Sequence, residues 1–165
     1  MVEQVEDSSQ YLTDEDLHAI AHYLQSLPAQ QPSGTYTGGA DPARSSVNGS
    51  RVADALSVGF NVYRSFCASC HHADGRGVPN AFPALAGNPS VIAENTTSLI
   101  RLLIEGGNSP TTESGPPRQS MPAFATTLAD VEIAQVLTYI RGAWGNNAQP
   151  VTANDVATLR SELHK

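Results

Sequence analysis

The sequence predicts an all-α protein of helices joined by long loops. Apolar residues recur at helical spacing in several stretches, no stretch reads as a convincing strand, and the segments between are rich in Gly and Pro. The 165 residues include 13 Gly and 11 Pro, enough to punctuate the chain repeatedly.

Residues 1–28 hold one clear helix. Thr13 followed by Asp16 resembles a capping box with Asp in place of Glu, and Leu17, Ile20, Ala21 and Leu24 mark one face. Pro28 ends it. The next stretch, to about Ser50, has almost no apolar content and reads as a linker spanning 29–50. The main domain, 51–147, opens with a helix from about Arg51 to Phe66, on which Gly59 and Tyr63 lie one turn apart; the glycine permits close approach of another helix. Asp74-Gly75-Arg76-Gly77 reads as a tight turn, and Pro79 to Pro89 as an irregular loop. A helix follows from about Thr96 to Glu105 through Leu99, Leu102 and Leu103, stopped by Gly106-Gly107. After a loop over 108–120, the last strong helix runs from about Asp130 to Ala143 on a stripe of Ile133, Val136, Leu137 and Ile140. The tail, 148–165, carries a short helix with Thr152 and Asp155 as a capping box and no evident chemistry.

A net charge of -7 argues against nucleic-acid binding, which needs a basic face. No apolar run approaches the roughly 20 residues of a membrane span. The first residues, Met1-Val2-Glu3-Gln4-Val5-Glu6-Asp7, lack the basic start and apolar core of a signal peptide.

The chemistry centres on Cys67-Ala68-Ser69-Cys70-His71, the spacing of covalent haem attachment. Each thiol adds to one porphyrin vinyl group, one helical turn separates the two thiols, and the imidazole that follows is a good iron ligand. These are the chain's two cysteines. A zinc site or a redox dithiol are the competing readings. Zinc needs a second ligand pair, which His18, His22, His72 and His164 do not supply at suitable spacing; a dithiol needs no adjacent histidine. Far downstream, Met121-Pro122 lies in a loop. Methionine is usually core filler, but a loop methionine after a haem motif points to a ligand. A helical domain with long loops also suits a cofactor that supplies much of the core.

One internal echo stands out. Leu12-Thr13-Asp14-Glu15-Asp16-Leu17 through Tyr23-Leu24 lines up with Leu128-Ala129-Asp130-Val131-Glu132-Ile133 through Tyr139-Ile140. Two amphipathic helices of similar composition would look alike; with the linker that follows, the echo suggests that 1–28 is the tail of another copy of the same domain.

Residues 51 to 145 resemble a class I cytochrome c domain, on Cys67-Ala68-Ser69-Cys70-His71, Phe82-Pro83-Ala84-Leu85, Ser120-Met121-Pro122 and the closing helix. The resemblance implies the cytochrome c fold, helices and long loops wrapped around one covalent haem c. Cys67 and Cys70 would hold the haem, His71 would be the proximal ligand and Met121 the distal one. The Pro83 carbonyl would accept a hydrogen bond from the proximal imidazole, Leu85 and Phe124 would pack on the haem, and Gly59 and Tyr63 would cross the last helix near Tyr139. With both axial positions filled, the site would transfer electrons and not act as an enzyme. Arg76, Arg101 and Arg118 are candidates for the propionates, and Ala129 departs from the Ser or Thr usual at that helix start.

The whole chain is similar to the C-terminal third of the triple-haem cytochrome subunits of bacterial membrane-bound quinoprotein alcohol and flavin gluconate-type dehydrogenases. That similarity implies electron passage from a dehydrogenase catalytic subunit towards quinone or another cytochrome, in the periplasm or on the outer face of the cytoplasmic membrane. Met1 falls where a middle domain's axial methionine would be, as an internal residue or a misassigned start. A free-standing monohaem carrier and a haem enzyme or sensor with an open sixth site are the alternatives. Residues 1–28 are expected to be mobile or loosely docked, because half a domain buries little apolar surface.

Overall fold

The structure is a computed structural model that describes residues 2–28, 34–38 and 50–163. Met1, His164 and most of the 29–50 linker lie outside the described residues. The chain divides into two compact units: residues 1–31 with 108–120, and residues 32–107 with 121–165.

In the first unit, α2 (Asp14–Ser26) is the helix expected behind the Thr13 cap, and α1 (Val2–Asp7) and a 3-10 turn (Ser9–Tyr11) precede it. The Thr13 hydroxyl accepts from the Asp16 amide at 3.2 Å and donates to the Asp16 carboxylate at 2.7 Å, so the cap forms as read. No residue of α1 or α2 is buried. The segment is tied to the 108–120 loop by polar contacts: Glu6 accepts from the Thr111 amide at 2.6 Å and pairs with Arg118, and Gln10 accepts from the Glu113 amide at 3.2 Å. These bonds hold Glu6 below the usual carboxylate range, the Thr111 amide first and Arg118 after it.

The second unit is built on α3 (Ser50–Phe66), which continues into the single turn α4 (Ala68–His71). The short α5 (Pro89–Ile92) and α6 (Thr97–Glu105) follow, then α7 (Asp130–Gly142) and α8 (Ala153–Leu163). The strands are two-residue pairings. β1 (Thr35–Tyr36) runs antiparallel to β4 (Asn146–Asn147), so part of the stretch read as a linker is hydrogen-bonded to this unit. β2 (Gly107–Asn108) pairs with β3 (Ser120–Met121) at the neck of the intervening loop.

α7 is the centre of the core. Ile133, Val136 and Leu137 are fully buried, with Ile140 one turn on. α3 crosses it at Gly59, where an added Cβ would strike the Gln135 carbonyl and lie 2.9 Å from the Tyr139 Cβ. Tyr63, on the same face, packs against Tyr139 and Trp144 at ring separations of 5.5 and 4.9 Å. Ala129 offers no cap oxygen, yet its amide donates to Glu132 at 2.8 Å, which keeps half of the box.

α6 differs from the expected stripe: it buries Ile100, Leu103 and Ile104 and leaves Leu102 exposed. Apolar residues fill five of its nine positions, so periodicity alone does not choose the face. Arg141 is buried on α7 without a carboxylate partner, its guanidinium donating to the carbonyls of Val91, Ala93 and Gln149 at 2.5 to 2.8 Å.

Candidate functional site: a haem-attachment turn and a methionine loop

The attachment motif is a helical turn. The Cys67 amide donates to Tyr63 at 2.8 Å as α3 ends, and the His71 amide donates to the Cys67 carbonyl at 2.9 Å. Cys67 and Cys70 are thus one turn apart, both free thiols and half-buried. Burial, with a smaller push from Cys70, raises the Cys67 thiol to about 11. The turn stops at His72, whose backbone takes the left-handed conformation and whose carbonyl accepts from the Tyr63 hydroxyl at 2.5 Å. Burial pushes that phenol upward, so it stays a donor.

The chain then folds back beneath His71. The Gly77 amide donates to the His71 carbonyl at 3.0 Å, and the Leu85 amide to Gly75 at 2.7 Å. Gly77, at φ +62°, has no room for a side chain: a Cβ would lie 2.6 Å from the Pro83 carbonyl oxygen. This packing sets the Pro83 carbonyl 2.9 Å from His71 Nδ1. A carbonyl only accepts, so Nδ1 is the donor, and in a neutral ring with this bond the lone pair lies on Nε2. The imidazole is fixed in the tautomer that a metal-ligating histidine uses.

Met121 enters from the other side of the sequence. Gly106, at φ +73°, admits the Met121 carbonyl and the Ala123 amide to the end of α6; a Cβ there would sit 2.6 Å from the former. The Phe124 amide donates to Leu103 at 2.8 Å, and the Phe124 ring meets Phe66 edge-on at 6.0 Å. Cys67, Leu85 and Met121 all pack, half-buried, on the apolar cluster that contains Phe124. The structure therefore gathers Cys67, Leu85, Met121 and Phe124 around one core, with His71 and Pro83 on the turn beside it.

This donor set fits a haem c. Two unpaired thiols stand one turn apart, an imidazole oriented through Nδ1 lies beside them, and apolar residues line the neighbourhood. Among the described residues no group of three His, Cys, Asp or Glu could hold a metal ion. Arg76, Arg101 and Arg118 are paired within the chain, to Asp74 at 3.7 Å, to Glu105 at 2.6 Å and to Glu6.

The sequence reading missed Asn146 and Arg160. The Asn146 side chain donates to the carbonyls of Leu85 and Ile140 at 3.1 and 2.9 Å and accepts from the Gly87 amide at 2.8 Å, fixing the end of the Pro83–Leu85 segment. Nothing in the local pattern marks an asparagine after Trp-Gly for that task.

A helical fold, a Cys-x-x-Cys-His turn and a histidine locked by a backbone carbonyl define a c-type haem domain. The cytochrome c family model matches residues 56–144, and the chain belongs to the cytochrome c family. Membership implies a covalently bound haem c and electron transfer through it. The chain is 46% identical over 156 residues to the cytochrome c subunit of a quinone alcohol dehydrogenase from Gluconacetobacter polyoxogenes, covering 93% of this chain and 32% of that protein. It is 40% identical over 165 residues to the gluconate 2-dehydrogenase cytochrome c subunit of Pantoea cypripedii, covering 98% and 36%. Cytochrome c-552 of Thermus thermophilus is 34% identical over 119 residues, 67% of this chain and 80% of that one. The chain spans about a third of the length of the dehydrogenase subunits it matches. Among the described residues no helix is long and apolar enough to cross a membrane.

Proposed function

We propose that residues 51–147 carry one haem c, attached through Cys67 and Cys70, with His71 as proximal and Met121 as distal ligand. The chain would pass electrons from a dehydrogenase catalytic subunit towards quinone or another cytochrome. The observation that carries this reading is the 2.9 Å bond from His71 Nδ1–H to the Pro83 carbonyl, which leaves Nε2 as a ligand of fixed orientation. When bound, the haem supplies a one-electron ferric/ferrous couple, and a thioether opposite imidazole raises its potential. The chain's own part is to hold both ligands, pack Leu85 and Phe124 against the group, and keep water from it.

The dehydrogenase partner rests on the names of the relatives, and a site in the periplasm or on the outer face of the cytoplasmic membrane rests on where haem c is attached. In the same reading, residues 1–28 are the end of a preceding cytochrome domain. The exposed stripe of Leu17, Ile20 and Leu24 on α2 supports that reading.

The test is the optical spectrum of the matured protein. Wild type should show the weak near-infrared charge-transfer band of sulfur-ligated ferric haem, and Met121→Ala should lose it and bind carbon monoxide when reduced. A wild type without the band that binds carbon monoxide would overturn the ligand assignment and favour an open sixth site.

A further inference from the structure

The tail helix α8 reads from sequence as a surface appendage, but one of its side chains reaches the segment that follows Met121. Thr152 and Asp155 cap the helix reciprocally, the Asp155 amide donating to the Thr152 hydroxyl at 3.2 Å and the Thr152 amide to the Asp155 carboxylate at 3.0 Å. Val156 is fully buried, which fixes how the helix lies on the core. Arg160, one turn on, donates from Nε to the Asp130 carboxylate and from Nη1 to the Ala125 carbonyl, both at 2.7 Å, and from Nη2 to the Leu128 carbonyl at 3.2 Å. Its side chain is only 20% exposed.

Ala125 and Leu128 belong to the turn that joins Met121-Pro122 to α7. Inside it the amides of Thr127 and Leu128 donate to the Phe124 carbonyl at 3.1 and 3.0 Å. The Phe124 amide anchors one side of this turn on α6, and Arg160 anchors the other on α8. A guanidinium is a planar fork that stays charged, so one side chain fixes two carbonyls and a carboxylate in a single geometry. Lysine, a point charge on a flexible stem, cannot do the same.

We propose that Arg160 is a positioning residue for the distal methionine: by locking the turn at Ala125 and Leu128 it limits the excursions that would carry Met121 off the iron. The proposal rests on Met121 being the sixth ligand. A thioether is neutral and weakly held by ferric iron, so a competing ligand binds only the fraction of molecules in which the methionine segment is displaced. Its apparent affinity scales with that fraction.

The experiment compares full-length, haem-loaded wild type, Arg160→Ala, Arg160→Lys and Val156→Ala. Imidazole binding to the ferric protein is titrated by loss of the near-infrared band, and hydrogen exchange is followed at the Phe124 and Leu128 amides. Arg160→Ala should bind imidazole about tenfold more tightly, the order expected for losing charge-assisted hydrogen bonds. Its Phe124 and Leu128 amides should exchange faster while those of Ile133 to Ile140 keep their protection. Arg160→Lys should fall between the two. Val156→Ala, which removes packing and leaves the fork, should stay within about twofold of wild type. Equal shifts in Arg160→Ala and Val156→Ala would reduce Arg160 to general stability and overturn the proposal, as would no shift in Arg160→Ala. A wild type lacking the band would overturn the methionine assignment and this proposal with it; a band present and indifferent to Arg160→Ala overturns this proposal alone.

Discussion

α2 and α7 are written in nearly the same pattern and meet opposite fates. Each has an acidic first turn, an apolar stripe and a tyrosine near the end. On α7 the stripe disappears into the core: Ile133, Val136 and Leu137 are at 0% exposure. On α2 the corresponding Leu17, Ile20 and Leu24 remain 43 to 59% exposed. What separates them is the surface opposite. α7 meets Gly59 and Tyr63 of α3, whereas no residue on α2 is covered enough to count as buried. Amphipathic spacing selects a helix and the face it will use, but burial needs a complementary surface, and that is a property of the rest of the domain.

The largest effect that sharpens this contrast is a matched pair of truncations. Leu137→Ala should destabilise the protein by about 2–5 kcal/mol in denaturant unfolding, through lost transfer energy and the cavity left behind. Leu24→Ala, on the exposed stripe of α2, should change global stability by no more than about 0.5 kcal/mol. A Leu24→Ala cost approaching that of Leu137→Ala would mean that α2 is buried in solution and would break the comparison. Next in size is the crossing itself. Gly59→Ala puts a methyl group on the Gln135 backbone, where no rotamer relieves it, and should cost about 1–3 kcal/mol, read as a lowered Tm. The smallest effects lie at the two helix starts. Thr13→Ala should remove about 1 kcal/mol of local helix stability, visible as faster amide exchange in α2. Ala129→Ser, which supplies the hydroxyl that α7 lacks, should raise Tm by the equivalent of about 0.5–1 kcal/mol.

The longer helices of the second unit, α3, α6, α7 and α8, were legible almost residue by residue, because their periods, caps and stop signals agree, whereas the one-turn α5 was not foreseen. The attachment turn was legible for a different reason: covalent chemistry fixes its residue types and spacing. The family resemblance implied a carbonyl at the imidazole, and His71 Nδ1 lies 2.9 Å from that of Pro83. What escaped depends on partners distant in sequence. Thr35 and Tyr36 sit in a stretch that reads as a linker, and only the presence of Asn146 and Asn147 makes them a strand. Arg160 went unremarked because two of its three acceptors are backbone carbonyls, which every residue has and no pattern advertises. The α6 face was ambiguous because its apolar arc, Leu99, Ile100, Leu102, Leu103 and Ile104, is wider than the part the core covers. The start of α2 was legible in its Thr13 cap, whereas α1 before it, with six residues, carries no pattern that marks it.

Arg141 has a consequence for how this domain comes apart. One buried cation is solvated by the end of α5, by Ala93 and by Gln149 in the tail, and burial already presses its guanidinium towards losing charge. An arginine does not neutralise, so a stretch that peels away leaves an under-coordinated charge in an apolar interior. Each local opening is therefore penalised by the other stretches that remain. The two stretches, α5 with Ala93 and the start of the tail, should open together with α7 as one cooperative unit, and partial unfolding that frees the tail while keeping α5 in place should be disfavoured.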